Sequence, residues 1–336
     1  MSMKTAIVIL NYNGVELLQQ FLPKLILHSQ HKDAEIIVAD NNSNDDSIAF
    51  ISLNYPNIRT IRLDKNYGFA EGYNRALSQI EAEYYILLNS DVEVSEGWLS
   101  LIDFLDENPD ICACQPKIKS WYHKDLFEHA GACGGFIDKY GYPFCRGRFF
   151  EHIEKDNGQY DSTIDVFWAT GACFAIRAKD FKDFGGFDKT FFAHMEEIDL
   201  CWRLQLKGKR IACFPQSVVY HIGAKTLNKE HPLKTYLNFR NNLLMLYKNL
   251  PTKKLSWVLF IRFWLDYAAF FQNLLCGRIS NANAIVRARY DYHKLKKSYV
   301  RNCVSNKITT IYPHSAIFDY YILKKRKFSD LKIKRG

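Results

Sequence analysis

The first hundred residues repeat one pattern four times: a short apolar run of strand-forming residues that stops abruptly at an Asn, Asp or Ser cluster. Lys4 to Leu10 runs into Asn11-Tyr12-Asn13-Gly14, and Glu35 to Ala39 closes on Asp40-Asn41-Asn42-Ser43. Ile58 to Leu63 leads to Asn66-Tyr67-Gly68, and Tyr84 to Leu88 stops at Asn89-Ser90-Asp91. Runs this short and this continuously apolar read as strands buried on both faces. Helical segments lie between them. One spans Val15 to about Leu27 and is expected to kink or divide at Pro23. A second begins at Asp45 or Asp46 and ends at Pro56, and a third ends near Ile80. Strands alternating with helices predict a parallel, Rossmann-like sheet. The polar clusters then share the carboxyl edge of that sheet, where open α/β sheets bind ligands.

The fourth run carries the most chemistry. Asp91 and Glu93 alternate and so start on one face, while Ser95 is expected to cap a helix with Glu96 in its first turn. A carboxylate at a strand tip is a hard ligand suited to Mg²⁺ or Mn²⁺ carrying a diphosphate. A strand that simply ends in a polar turn fits the same residues. Beyond it, Ile111 to Lys119 reads as a strand, and Trp121 to Asp161 as hairpins and a mobile loop. Val166 to Arg177 reads as a strand pair or bent strand around Gly171. Met195 to Leu206 is predicted helical, Arg210 to Tyr220 a strand, and Leu233 to Asn249 a helix.

The C-terminal part differs in character. Arg287 to Gly336 holds 14 Lys and Arg against three Asp, or +11, whereas the preceding residues sum to −2. Ahead of this basic tail, the 21 residues Leu255 to Leu275 are long enough to span a bilayer but contain Arg262, Asp266, Gln272 and Asn273. A charge at the centre of a span costs about 2.5–3.5 kcal/mol, so a single span is disfavoured unless the two charges pair. Arg262, Asp266 and Asn273 fall on one helical stripe, and Trp257, Phe260, Trp264 and Phe271 cover the remainder. Such a helix lies in a membrane interface or packs on the rest of the chain. Lys294-Leu295-Lys296-Lys297 and Lys324-Lys325-Arg326-Lys327 are the expected contacts to an anionic membrane surface. Nothing else in the chain supports nucleic acid as the partner of these charges. Met1 to Thr5 leads straight into Ala6 to Leu10 without an h-region or cleavage site, so reduced cysteines in a cytoplasmic protein are expected. Cys112 and Cys114, one residue apart, do not form a zinc knuckle.

Seven motifs occur in order across residues 4–250: ILNYNG, VADNNSND, NYGFAEGYNRAL, LLNSDVE, WATGACFAIR, GGFDKTFFAHMEEIDLCWRLQLKG and PQSVVYHIGAKT. Together they resemble the family 2 inverting glycosyltransferases of GT-A fold, in the rhamnosyltransferase-like branch of bacterial polysaccharide assembly. The resemblance implies an α/β catalytic domain over residues 1–250, with a mostly parallel central sheet and flanking helices. Its nucleotide-sugar half covers about 1–110 and its acceptor half about 111–250. Residues 251–336 form an amphipathic, basic, membrane-associating extension at the inner face of the cell membrane.

By the same resemblance, Asp40 holds the nucleobase of a UDP- or dTDP-linked sugar, with Asn11 and Asn42 lining the nucleoside pocket. Asx-turns after a strand are the plain alternative for Asp40 and Asn42. Asn66, Gly68 and Asn74 shape the donor pocket, and Arg240 touches the pyrophosphate or anchors its helix. Asp91 and His221 bind Mn²⁺ or Mg²⁺, imidazole tilting the preference toward Mn²⁺. Asn89 stands where the family usually has the first Asp of a D-x-D. Glu197, with Glu196 as its neighbour, occupies the position of the family's base, where a Glu-Asp pair is usual. Asp199 and Arg203 are read as an ion pair orienting this helix. Trp168 and Gly171 resemble the acceptor-side loop, the acceptor being a glycan or a polyprenyl-diphosphate-linked sugar; a buried Trp is the plain alternative. A sugar nucleotidyltransferase needs a Gly-rich, basic phosphate loop that Asn11 to Gly14 does not supply. A non-catalytic nucleotide-sugar-binding or membrane scaffold protein is the other rival.

Overall fold

A computed structural model describes residues 3–30, 33–128, 131–223, 231–301, 308–331 and 333. The four apolar runs are strands β1 (Met3–Asn11), β2 (Ala34–Asp40), β3 (Arg59–Arg62) and β4 (Ala82–Leu88). Helices α1 (Val15–His28), α2 (Ser47–Asn54) and α3 (Gly68–Leu77) connect them. β1 pairs with β2 and β4, and β2 with β3, all in parallel. Helix α1 buries Leu18, Phe21, Leu22 and Leu25, a stripe of helical spacing, and runs unbroken through Pro23. Tyr84 to Leu88 is buried throughout, as a strand covered on both faces requires.

After β4 the chain makes the short strand β5 (Val92–Val94) and then α4 (Ser100–Glu107). Ser95 does not cap that helix. Residues 96–99 form turns first, and the Ser95 hydroxyl donates instead to the Val218 carbonyl at 2.7 Å. Strands β6 (Ile111–Ser120), β7 (Gly135–Asp138), β8 (Pro143–Cys145), β9 (Arg148–Phe149), β10 (His152–Ile153), β11 (Ile164–Asp165) and β12 (Cys173–Arg177) follow. Next come α5 (Ala178–Asp183), α6 (Glu196–Leu206) and β13 (Arg210–His221). The main sheet has the order β11-β13-β6-β12-β4-β1-β2-β3, with β5 added along β13. The β4-β1-β2-β3 end is parallel, and the other end is mixed, because β12 runs antiparallel to both β4 and β6 and β11 runs antiparallel to β13. Strands β7 to β10 form a second small sheet, the hairpins expected between Trp121 and Asp161.

Four helices and one strand complete the chain: α7 (Pro232–Asn249), α8 (Thr252–Leu275), α9 (Ile279–Leu295), β14 (Ile311–Tyr312) and α10 (Ala316–Tyr321). The C-terminal region is built into the body. β14 pairs in parallel with β7, and the Asp138 carboxylate accepts from the Ala316 N–H at 2.9 Å. Among the described residues, no helix is long and apolar enough to cross a membrane. The described cysteines are free, seven buried and Cys276 exposed.

Candidate active site

Strand register brings Asp91 and His221 together. β5 and β13 pair with Val92 opposite His221, and the Ile222 N–H donates to the Asp91 carbonyl at 3.1 Å. The His221 Nε2 then lies 3.0 Å from Asp91 Oδ1, both side chains being buried. The other ring nitrogen, Nδ1, is 3.2 Å from Oε2 of the buried Glu128, an ion-pair contact without good hydrogen-bond alignment. Burial opposes charge on His221, but Asp91 and Glu128 on either side of the ring outweigh it and raise its pKa to about 10. Burial likewise opposes charge on Asp91, and the His221 ring reverses this, holding the carboxyl below its usual range. Gly223 follows at φ +68°, where an added Cβ would collide with Glu128 Oε1. Glu93 does not join this group. It is committed to Lys24 at 2.9 Å, Lys124 at 3.1 Å and the Trp121 indole N–H at 3.0 Å, contacts that lower its pKa to about 2 against the opposing effect of burial.

The fit to a divalent cation can be tested on this geometry. Asp91 Oδ1 and His221 Nε2 stand 3.0 Å apart as a charge-assisted pair, and a hard cation would bridge them only by displacing the proton they share, at about 2.1 Å from each. Glu128 sits behind the imidazole on its far nitrogen, where a carboxylate orients a ligating His rather than ligating itself. No cluster of three or more acidic, His or Cys side chains that could hold a metal occurs among the described residues. Asp91 and His221 are thus the two side chains that would face a bound cation here.

Glu197 stands at the start of α6, close to the same sheet edge. The Asn89 N–H at the end of β4 donates to the Ala172 carbonyl at 3.0 Å, placing the segment entering β12 beside the metal-site strand. The neighbouring Gly171 N–H faces the Glu197 carboxylate. The Oε2 atoms of Glu196 and Glu197 are both covered and without a hydrogen-bond partner. Burial raises Glu197 to about 7, its neighbouring backbone N–H groups moderating the rise. Burial, and then the charge of Glu197, push Glu196 well above the carboxylate range. An acid pair tuned upward is the state a general base needs near neutrality.

The turn before this helix is strained. Phe192, His194 and Met195 have φ of 64°, 69° and 73°, a region that costs non-glycine residues energy. Asn241 on α7, fully buried, holds the turn: its amide donates toward the Phe191, Ala193 and His194 carbonyls at 2.9, 2.9 and 2.8 Å. Arg240 beside it donates to Thr190 O at 2.8 Å and Phe191 O at 3.1 Å, and to Asn241 Oδ1 at 2.9 Å. Arg240 thus ties α7 to the turn before Glu197. Asp199 pairs with Arg203 at 2.9 Å as expected, and also with Lys248 at 2.8 Å, which fastens α6 to α7.

The remaining site residues gather at the carboxyl ends of β1 and β2. The Asn11 amide donates to Asp40 Oδ1 at 3.0 Å, and Ser43 donates to both Asp40 oxygens through its hydroxyl (2.6 Å) and its N–H (2.9 Å). Asn11 Oδ1 is buried with no partner. Asn42 is exposed at φ 64°. Its neighbour Asn41, which local pattern did not single out, is buried and donates to Asn66 Oδ1 at 3.1 Å and Gly68 O at 3.0 Å. Gly68 is needed at φ +73°, since a Cβ there would lie 2.5 Å from the Phe192 ring. The Phe69 and Ala70 N–H groups donate to the Phe192 carbonyl at 2.7 and 3.0 Å, joining the start of α3 to the turn before Glu197.

Asn74 faces the Gly185-Gly186-Phe187 turn, exchanging hydrogen bonds with Phe187 at 2.8 and 2.9 Å. Trp168 is buried, donates from Nε1 to Phe136 O at 3.0 Å and packs flush on Gly135. Ala224, Lys225 and Thr226, the end of the last motif, lie outside the described residues.

The model of Glycosyl transferase family 2 matches residues 6–185. The chain is 26% identical over 240 residues to an N-acetylglucosaminyl-diphospho-decaprenol L-rhamnosyltransferase of Mycobacterium tuberculosis, covering 67% of this chain and 78% of the relative. It is 26% identical over 229 residues to the rhamnosyltransferase WbbL of Escherichia coli, covering 64% and 82%. The O-antigen biosynthesis protein RfbC of Myxococcus xanthus is 25% identical over 65% of this chain, which spans only 17% of that longer protein. Among solved structures, GalNAc-T7 with UDP, GalNAc and Mn²⁺ superposes with a TM-score of 0.57 at 16% identity, over 73% of this chain and 47% of that one. Residues 1–349 of Staphylococcus aureus TarS in complex with UDP-GlcNAc give 0.55 at 17% identity, over 86% and 80%. The chain belongs to glycosyl transferase family 2 and is a glycosyltransferase of GT-A fold, with relatives in the rhamnosyltransferase-like branch of polysaccharide biosynthesis.

Proposed function

We propose that the protein is a metal-dependent inverting glycosyltransferase. It moves a hexosyl or deoxyhexosyl group from a UDP- or dTDP-linked donor to a glycan or polyprenyl-diphosphate-linked acceptor, in cell-surface polysaccharide assembly at the inner face of the membrane. What carries the reading is the placement of two kinds of acid along one sheet edge. Asp91 is paired with His221 in ligand geometry, and Glu197 presents a covered, unpartnered oxygen beside Gly171. The M. tuberculosis relative is named for a lipid-linked acceptor, and the GalNAc-T7 structure holds Mn²⁺ with UDP, which supports both ends of the proposal. Residues 1–250 carry the transfer in this reading, and 251–336 carry membrane attachment.

Asp91 and His221 would hold Mn²⁺ or Mg²⁺, which when bound neutralises the charge of the departing diphosphate. Asp40, fixed by Asn11 and Ser43, presents its carboxylate to the nucleobase, and the Asn41–Asn66–Gly68 network shapes the donor loop. Glu197 takes the proton of the acceptor hydroxyl. The acceptor oxygen forms its bond to the anomeric carbon as the bond to the β-phosphate oxygen breaks, the electron pair leaving with the nucleoside diphosphate. Asn89 in place of a first carboxylate leaves one less anion near the donor ribose.

The test is release of nucleoside diphosphate by the purified protein with Mn²⁺ and a panel of UDP- and dTDP-sugars plus acceptor. Asp91→Ala and Glu197→Gln each abolish release in this account. Turnover that survives either substitution rejects the assignment.

A further inference from the structure

Helix α8 is inside out for a helix on a water-soluble surface. Its polar stripe is buried and its aromatic stripe is bare. Arg262 is 2% exposed and Asp266 is fully buried. Arg262 donates to Tyr140 O at 3.1 Å and to Asn242 Oδ1, and it lies over the Tyr142 ring with 4.1 Å from guanidinium carbon to centroid. Asp266 accepts from Arg262 at 3.2 Å and from Arg289 on α9 at 2.5 Å. These bonds fix the rotation of the helix about its axis. Trp257, Phe260, Trp264 and Phe271 are consequently held outward, 53–60% exposed, with Leu275 at 89%.

The apolar surface does not stop at the helix. Ile261 and Leu265, one step round from the aromatic stripe, form one wall of a groove of about 610 Å³. Ile317, Phe318, Ile322 and Leu323 of α10 and the turn after it form the other wall. Exposed Lys139 lies at its edge, and Lys324 and Lys327 follow directly on the α10 side. At the other end, Lys253 and Lys254 flank Trp257. A monomer rarely leaves a contiguous aromatic and aliphatic face of this kind in water. Trp at the apolar edge with Lys around it is the composition of a face that sits at the depth of lipid headgroups.

We propose that this surface, from the outward stripe of α8 across the α8–α10 groove to Lys324 and Lys327, is a docking face for an anionic phospholipid bilayer. The charge argues for this occupant over a second copy of the chain. Both flanks of the face are cationic, so two copies would oppose like charges, whereas an anionic leaflet complements them. The helix lies flat on the bilayer and does not enter it, because the stripe opposite the aromatics is bonded to the catalytic body. The proposal deepens the reading given above by naming the surface that brings the enzyme to a lipid-linked acceptor.

The experiment uses the full chain and vesicles of phosphatidylcholine, with or without phosphatidylglycerol, containing neither donor nor glycolipid. Co-sedimentation is expected with the anionic vesicles, weakened by about tenfold or more in the Trp257→Ser/Trp264→Ser double variant and in Lys324→Glu/Lys327→Glu. Tryptophan emission of the wild type is expected to shift to the blue and to be quenched by brominated-chain lipids. The aromatic double variant should lose that change while retaining nucleoside diphosphate release from the donor in the presence of a soluble acceptor. Equal binding by the wild type and both variants, or no binding to any vesicle, overturns the proposal. So does a dimer in solution that Trp257→Ser/Trp264→Ser dissociates. Loss of vesicle binding and loss of donor turnover are separate results, so either reading can fail alone.

Discussion

Replacing Asn241 by Ala removes the one side chain that gathers three carbonyls of the left-handed turn before Glu197. The amide has two hydrogens for three acceptors, so about two hydrogen bonds are lost at roughly 1 kcal/mol each. At least one carbonyl is left buried and unpaired at a further cost of about 1–3 kcal/mol. The turn holds three non-glycine residues in a region that costs about 1–2 kcal/mol each, so its strain is comparable to the bonds that restrain it. Stability should fall by roughly 3–5 kcal/mol. Arg240 still grips Thr190 and Phe191, and Phe192 O still receives the Phe69 and Ala70 N–H groups, so the loop stays attached on its donor side. What moves is the segment entering α6. A displacement of about 1 Å at a catalytic group costs about 100-fold in rate, so kcat should fall by that order while the donor Kd changes little. N241D is the sharper variant: it keeps the volume but turns oxygen toward three carbonyls, and should do at least as much damage. Thermal unfolding, donor titration and turnover on both variants check this. Wild-type kcat and Tm in N241D would refute the clamp.

Three further outcomes follow from the same contacts. Glu197 must be ionised to act as base and its pKa is about 7, so kcat/KM should rise with pH through that value and level off above it. The sign for stability is opposite: burial favours the neutral acid, so its contribution is full below 4.5 and lost as pH rises through about 7. Glu197→Gln should therefore be inactive at every pH yet more heat-resistant than the wild type above neutrality, by thermal scans across pH. Glu128→Gln weakens the orientation of His221 and should reduce Mn²⁺ affinity by about 10- to 100-fold in an electron paramagnetic resonance titration. Gly68→Ala forces a side chain into φ +73° against the Phe192 ring and backbone, and should lower both Tm and donor affinity.

Much of the nucleotide half could be read from the chain alone, because its strands are continuous apolar runs and its site residues are the polar stops that end them. Asp91 and His221 meet because β5 and β13 pair, and that pairing joins positions 130 residues apart. No local pattern marks Glu128, which touches His221 only through the fold, and none shows that Asn41 reaches Asn66 and Gly68 or that Asn241 gathers the carbonyls before Glu197. Ser95 carried the signature of a helix cap, yet tertiary bonding to Val218 took its hydroxyl and delayed the helix to Ser100. Trp168, Asn74 and Arg240 are residue types that serve sites and cores alike, and only the fold shows their partners: Phe136, Phe187 and the Thr190–Phe191 carbonyls. For α8, the two sequence readings were set against each other, but a helix has two sides: the polar one packs on the body and the aromatic one remains free.

Calorimetric titration of a UDP- or dTDP-sugar into the protein, with and without Mn²⁺, for the wild type and Asp91→Ala, tests the central claim most directly. The account predicts tight donor binding by the wild type only when Mn²⁺ is present, and loss of that metal-dependent gain in Asp91→Ala. Donor binding that is indifferent to Mn²⁺, or unchanged by Asp91→Ala, would contradict it.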